Sequence, residues 1–548
     1  MPPAISTPPM AYRPIVPPRA GLKTIVIAAI LASTVIFIFS PLFSAEFLQW
    51  DDGFNLFENP RMLPPTWSSC AYYWSHQSVG LYVPVTYTVW SGLAAISQKP
   101  GDEPGSRTLD PAPFHTANVL FHALAVMVVF ALLRTWTGDL PAGAGALLFA
   151  IHPMQVEAVG WACGTKDVLA GLFGLTAVWQ YLRHLAQPSK KISWHYFAAL
   201  AAFVAATLSK PSAIVIPILC FIIAIGICHA PWRKVGREVL PWLCISAVIF
   251  FIANASQEQR YTSMHVPLWF RPLVATDALA FYLGKLVWPV NLCLDYGRSP
   301  LAIVRPPDYP AYWTWIIPVT IGSILWWRRR AWPRIFTAAL VSLVAIFPVL
   351  GLAGFTFQAE STVADHYVYV AMLGPAIAMA AILRASRNFL TIITAAAAFT
   401  VLAVLCHWQT FNWLSEPLAF GHVVDVDPRS VRGHAHLWRL QLIHGNIAAA
   451  QREVATIIAV APKNGEGYTD LADTLDETGH WQDAIAEYQL AIKIAPDYAT
   501  AYNNLASLYA THGDFPRAIA LYRKSLAIDP EYNESLIGLA NAMKAQTK

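Results

Sequence analysis

The chain has 548 residues, of which 56% are hydrophobic and 13% charged, and a mean hydropathy of +0.44. These values exclude an ordinary soluble domain and describe a multi-spanning membrane protein with a more polar part attached. A formal charge of +4, with basic residues scattered rather than striped, speaks against nucleic acid, and seven cysteines without a CxxC pair speak against a metal cluster or disulfide framework.

The proline-rich opening, residues 1–22, reads as a disordered cytoplasmic tail carrying Arg13 and Arg19. An apolar run from Thr24 to Phe43 then forms a first span, followed at once by Trp50-Asp51-Asp52-Gly53 and, shortly after, Asn59-Pro60. Charge in lipid costs about 2–3 kcal/mol at the centre of a span, so adjacent carboxylates beside hydrocarbon call for a use. They are either a catalytic pair or the cap of a short interfacial helix. Further apolar stretches lie near 114–133, 141–156, 166–185, 193–209, 212–229, 239–254, 311–327, 335–353, 367–383 and 388–406, which predicts about eleven spans. With the N-terminus inside, alternate loops carry Arg134; Arg183, Lys190 and Lys191; Arg233, Lys234 and Arg237; Arg328, Arg329, Arg330 and Arg334; and Arg384 with Arg387. Basic loops mark the cytoplasmic side. Of the acids before residue 411, only Asp139 and Glu238 fall inside. This register requires Leu273–Leu292, which holds Asp277 and Lys285, to lie along the outer surface. The membrane domain is thus 23–411, with outer loops at about 44–113 and 255–310.

Several polar groups gather on that outer side. His152 and Glu157 are candidates for holding a sugar hydroxyl or a phosphate, or simply end a helix; Trp161 is a candidate for stacking on a sugar ring, or a member of the interfacial aromatic belt. Lys166 and Asp167 read as an ion pair, Lys210 as a phosphate ligand or a snorkelling side chain, and Lys285 and Arg298 as cations for a lipid phosphate. Asp365-His366-Tyr367 opens the tenth stretch, where His366 is expected to titrate near neutrality.

After Trp413 the composition becomes that of a soluble protein. Pro428, Pro462, Pro496 and Pro530 recur every 34 residues, with Gly445, Gly479 and Gly513 in step. That is the period of tetratricopeptide repeats: prolines stop each second helix, glycines turn between helices, and Ala472 and Ala506 allow close packing. The polar part, 412–548, is therefore a helical solenoid of about three repeats and a terminal helix, built for holding a protein or peptide, or for oligomerisation.

No HExxH, GxSxG, P-loop or dinucleotide fingerprint occurs. Taken in order, Trp50-Asp51-Asp52, Asn59-Pro60, His152-Pro153 through Glu157 and Trp161 to Lys166-Asp167-Val168-Leu169, Leu208-Ser209-Lys210-Pro211, Tyr282-Leu283-Gly284-Lys285, Trp288-Pro289 and Ala364-Asp365 with Tyr367 and Tyr369 form a specific series. With the repeats that follow, the chain resembles bacterial relatives of the transmembrane and tetratricopeptide repeat-containing protein O-mannosyltransferases, of the C-type polytopic glycosyltransferase (GT-C) class. The resemblance implies an all-α helical membrane bundle with an extracytoplasmic repeat domain in a bacterial inner membrane. It also implies transfer of a sugar, mannose in the family, from a polyprenyl-phosphate carrier to Ser or Thr of a protein. Carried over, it names Asp51 and Asp52 as the catalytic pair, with Asp51 as base and Asp52 as partner or the reverse. It leaves His152, Glu157, Lys166, Lys210, Lys285, Arg298, His366 and Tyr367 for the donor, and Trp50 and Trp161 for the sugar. Thr165, His366 and the segment Tyr296-Gly297-Arg298 depart from the family pattern, and Arg298 stands in for one missing cation. Two carboxylates offer a divalent ion part of a coordination shell, but no full ligand set is visible. The alternatives are a glycolipid or polysaccharide acceptor, or a non-enzymatic membrane scaffold.

Overall fold

The computed structural model describes residues 20–101, 106–187, 192–256, 267–304, 310–352, 356–359, 361–386, 388–530 and 532–547. Most of the expected tail, with Arg13 and Arg19, and the loop cations Lys190, Lys191 and Arg387 lie outside the described residues. Apart from one two-stranded ribbon, Gln98–Pro100 with Arg107–Leu109, the described chain is helical. It divides into two compact units, one ending at Leu418 and one starting at Ala419.

Every apolar stretch of the first unit contains helix. Crossing a bilayer is a stricter demand, about 20 apolar residues at 1.5 Å each. Among the described residues three helices meet it by length and composition, Ala112–Thr137, Trp232–Ser256 and Phe389–Phe411, and the bent pair Asp139–Ile151 with Pro153–Gly160 makes a fourth if it is one span. Others expected to span are shorter, such as Leu22–Ile38, Trp194–Ser209 and Leu373–Ala385. Prolines near segment starts at Pro41, Pro211 and Pro348 cut the continuous apolar runs into α and 3-10 pieces. The unit is nonetheless built for lipid. Phe389–Phe411 buries only Cys406 and Thr410, Ile316–Arg328 buries nothing, and large apolar side chains stand exposed along both. Where helices do pack, small residues admit them: a Cβ added to Gly145 would lie 2.5 Å from the Ala376 carbonyl oxygen.

The second unit stacks helix pairs. Val431–Ile443 pairs with Ile447–Val460, Gly465–Glu477 with Trp481–Ile494, and Ala499–Thr511 with Phe515–Ile528; Asn533–Gln546 closes the stack. Gly445, Gly479 and Gly513 sit at φ 72°, 81° and 81°, the left-handed turn between paired helices that a side chain resists. Ala472, Ala484, Tyr488, Leu505 and Leu508 form a continuous core from one repeat to the next.

Candidate functional site

The chain leaves Leu22–Ile38 through a 3-10 turn, Ser40–Ser44, and re-forms as a single π-helical turn, Gly53–Phe57, directly after the acid doublet. Neighbouring residues on a helical turn point about 100° apart, so the two carboxylates meet different surroundings. Asp52 points inward and is fully buried, its Oδ2 accepting the Leu48 N–H at 3.0 Å and its Oδ1 the Cys163 N–H at 2.9 Å. Burial pushes its pKa up to about 6 against the pull of these donors. Asp51 points outward, with 38% of its side chain exposed, and its Oδ2 accepts from Lys166 Nζ at 3.0 Å. The Asp51 carbonyl accepts from Asn55 Nδ2 at 2.8 Å, and Asn55 Oδ1 accepts from the Tyr87 hydroxyl at 2.6 Å. Asp51 is placed to act on a ligand; Asp52 ties the turn at Cys163 to the turn that carries Asp51. The doublet therefore does not offer a divalent ion two open carboxylates. Trp50, beside it, is half-exposed.

The facing wall comes from a broken helix. Asp139–Ile151 stops at His152 and the chain resumes 57° away as Pro153–Gly160. His152 does not have the free imidazole expected of a donor ligand. Its Nδ1 accepts the Met154 N–H at 3.4 Å, a group freed by the break, and its Nε2 lies 3.2 Å from the Leu286 carbonyl at the end of another helix. Glu157 is likewise committed: Oε2 accepts the His366 N–H at 2.9 Å and Oε1 lies 2.8 Å from His366 Nδ1. Trp161 is 3% exposed with Lys166 Nζ at 4.8 Å from its ring centre, so it supports the lysine rather than an open sugar platform. Lys166 and Asp167 do not pair with each other; Lys166 reaches Asp51, and Asp167 takes Lys210 at 2.5 Å. Lys210 Nζ also stands 5.3 Å from the ring centre of Tyr367, which lines the same region. Thr165 is buried and donates to Asn118 Oδ1 at 2.7 Å, a site with no room for a long cation.

The remaining candidates come from the helix Arg271–Val287 and the loop after it. Arg298 is ion-paired to the buried Asp277, which also accepts from Thr314, so its charge does not stand in for a missing cation. Lys285 Nζ instead donates to the carbonyls of Val290 at 2.7 Å and Asn291 at 3.0 Å. Of the four site cations only this one, among the described residues, lacks a carboxylate partner. Tyr296 donates to Asp365 Oδ2 at 2.8 Å, while Oδ1 of Asp365 is buried without a hydrogen-bond partner. Burial, then the neighbouring Glu157, raises the Asp365 carboxyl well above its ordinary range. The same burial lowers His366 to about 3, so it stays neutral where the sequence led us to expect titration.

The site thus gathers Lys166, Trp161, Lys210, His366 and Tyr367 around the acid doublet, with Lys285 in the last turn of Arg271–Val287 and Arg298 on the loop after it. Sequence reasoning missed Asn55, Tyr87, Asn118 and Tyr296, which touch the site through hydrogen bonds between distant segments. Only the Asn-rich turn after the doublet hinted at them.

A tetratricopeptide repeat model matches residues 439–499 and 469–533. Among curated proteins, the chain is 28% identical over 255 residues to Protein O-mannosyl-transferase Tmtc1 of Drosophila melanogaster, covering 39% of this chain and 28% of that one. It is 23% identical over 366 residues to Protein O-mannosyl-transferase F38B6.6 of Caenorhabditis elegans, covering 64% and 51%. It is also 23% identical over 425 residues to human Protein O-mannosyl-transferase TMTC1, covering 68% and 48%. The chain spans about half or less of the length of these relatives. Among solved structures, ArnT from Cupriavidus metallidurans bound to undecaprenyl phosphate aligns over 88% of this chain and 81% of its own, at 15% identity and a TM-score of 0.37. Over part of its length the chain is thus similar in sequence to the transmembrane and tetratricopeptide repeat-containing protein O-mannosyltransferases.

Proposed function

We propose that this protein is an inverting glycosyltransferase of the C-type polytopic class. It moves a sugar, mannose by family analogy, from a polyprenyl-phosphate carrier to a Ser or Thr hydroxyl of a protein. The acceptor oxygen attacks the anomeric carbon and its proton passes to Asp51; the bond from that carbon to the phosphate oxygen breaks and the lipid phosphate leaves with the electron pair. One base and direct displacement give inversion. Lys166 orients Asp51, and Lys285 supplies fixed positive charge toward the departing phosphate. The basic-loop pattern directs the N-terminus to the cytoplasm and the doublet and solenoid to the outer side of a bacterial inner membrane.

The observation that carries this reading is the division of the doublet, one carboxylate half-open and held by a lysine, the other sealed as its mount. A membrane scaffold has no use for such an arrangement. The test is transfer of radiolabel from polyprenyl-phosphate mannose by the purified protein in nanodiscs, with periplasmic protein as acceptor. Label entering protein, and lost in Asp51→Asn, is the expected result. Label entering lipid or polysaccharide reassigns the acceptor, and failure to consume any lipid-linked sugar overturns the reading.

A further inference from the structure

Positive charge without a protein counter-charge collects where the helix Ile316–Arg328 ends and Pro333–Ile346 begins. The segment reads Trp326-Trp327-Arg328-Arg329-Arg330-Ala331-Trp332-Pro333-Arg334, and the sequence has no acidic residue between Asp308 and Glu360. Among the described residues, none of these four arginines forms an ion pair with a carboxylate. Arg384, in the last turn of Leu373–Ala385, adds its like charge to that of Arg334 and pairs with no carboxylate among the described residues either. Cations brought together from separate helices repel unless an anion lies between them.

Tryptophan faces hold the guanidinium groups in place. The guanidinium carbon of Arg329 lies 4.2 Å from the ring centre of Trp326, that of Arg328 4.6 Å from Trp327 and 5.3 Å from Trp332, and that of Arg334 6.0 Å from Trp136. Stacking occupies the face of a guanidinium and leaves its N–H edge for an acceptor. Arg329 uses one such N–H, from Nη1, on the Trp326 carbonyl at 2.6 Å. Trp326 and Trp327 are 60% and 72% exposed, and the helix they end buries no side chain. A lipid-facing helix thus delivers the arginines to the depth of the phosphate headgroups. The segment leading into that helix, 311–315, carries Tyr312, Trp313 and Trp315 with no cation, so an aromatic belt by itself does not require the arginines. Nor does the tendency of basic loops to stay inside, which lysine satisfies equally well. Arginine differs from lysine in its flat, two-pronged donor edge, which matches a phosphate.

We propose that this turn, with Arg384 and Trp136, is a docking surface for anionic phospholipid in the leaflet at that end of the helix. A zwitterionic lipid brings its own ammonium to a patch already in excess of positive charge, whereas an anionic one neutralises it. By bridging Arg334 and Arg384, the lipid phosphate ties together the ends of two helices that pack against each other, Pro333–Ile346 and Leu373–Ala385. This goes beyond sugar transfer and does not depend on it.

Native mass spectrometry of the full-length protein, released from micelles doped with equal amounts of phosphatidylglycerol and phosphatidylcholine, counts the lipid retained. Wild type is expected to retain phosphatidylglycerol about tenfold over phosphatidylcholine. The Arg328→Lys/Arg329→Lys/Arg330→Lys/Arg334→Lys variant keeps every charge, and with it insertion and folding, but loses the stacked, two-pronged edge. Its preference is expected to fall to about threefold or less. Arg233→Lys/Arg237→Lys, the same exchange in another basic loop, is expected to leave the preference unchanged. A thermal melt needs no variant: phosphatidylglycerol raises the unfolding temperature of the wild type saturably, and phosphatidylcholine does not. Equal retention of the two lipids by wild type overturns the proposal, as does a preference undiminished in the quadruple variant or lowered equally by the Arg233 and Arg237 exchange. Release of the retained lipid by millimolar inorganic phosphate assigns the patch to a soluble anion and likewise overturns it. No readout here involves sugar transfer, so this proposal and the enzyme reading are tested separately.

Discussion

Replacing the two aspartates singly by asparagine separates reaction chemistry from architecture within one dipeptide. Asp52 titrates at 3.8 when unfolded and at about 6 when folded. Between those values the folded protein holds the proton more firmly, so its stability falls as pH rises through that window and is flat above it. At about 1.4 kcal/mol per pH unit, the rise corresponds to about 3 kcal/mol. Asparagine carries no such dependence. It also leaves one of the two clamped N–H groups, of Leu48 or Cys163, without an acceptor, at a cost of about 1–3 kcal/mol. The stability gap between wild type and Asp52→Asn is therefore about 2.4 kcal/mol wider at pH 4 than at pH 7.5. Asp51→Asn takes its partner from the largely buried Lys166 ammonium and so also lowers stability at pH 7.5, while transfer drops by about 10²–10⁴-fold. Thermal unfolding in detergent, followed by intrinsic fluorescence alongside sugar transfer, reads both. A stability gap that does not widen on acidification refutes the sealed, ionisable Asp52. Activity surviving in Asp51→Asn but lost in a normally melting Asp52→Asn exchanges the two roles.

Other expectations are simpler. Lys285→Met raises the KM for the lipid donor by about ten- to a hundredfold, the worth of a charge-assisted hydrogen bond, and lowers the unfolding temperature by releasing the Val290 and Asn291 carbonyls; an unchanged KM moves the phosphate elsewhere. Tyr296→Phe strips Asp365 of its hydroxyl donor and lowers stability by about 1–3 kcal/mol, measured by thermal melt, and Asp365→Asn in the same protein recovers part of the loss. With His366 neutral above about 3, the pH–rate profile carries no step from it between pH 5.5 and 8, and a step abolished by His366→Asn contradicts its burial. Gly479→Ala forces a side chain into φ 81° and destabilises the solenoid by about 1 kcal/mol, detectable by circular dichroism.

The solenoid was readable at sight, because its period repeats the same small and turn-forming residues and each repeat touches only its neighbours. Membrane helices were readable as apolar runs, but their lengths were not: hydropathy does not report where a histidine or a proline breaks a run, as at His152 and Pro211. The acid doublet stood out by residue type. Its internal division did not, since that depends on which backbone N–H groups arrive from residue 163. Ion-pair partners were misassigned for the same reason. Lys166 and Asp167 look paired on paper, yet each is claimed by a segment more than forty residues away. Sequence proximity offers an electrostatic partner only where folding supplies no better one.

The contact between Glu157 and His366 joins residues 209 positions apart. A ribosome feeding this chain into a bilayer delivers the doublet early, the broken helix next and the 365–367 turn much later. Until that last piece docks, the growing polypeptide carries a reactive acid in an unfinished pocket, with Glu157 uncovered. A chain arrested before residue 366 would display most of the signature motifs and still be inert. Under the function proposed above, assembly order itself then guards the membrane against premature sugar loss from its carrier lipids.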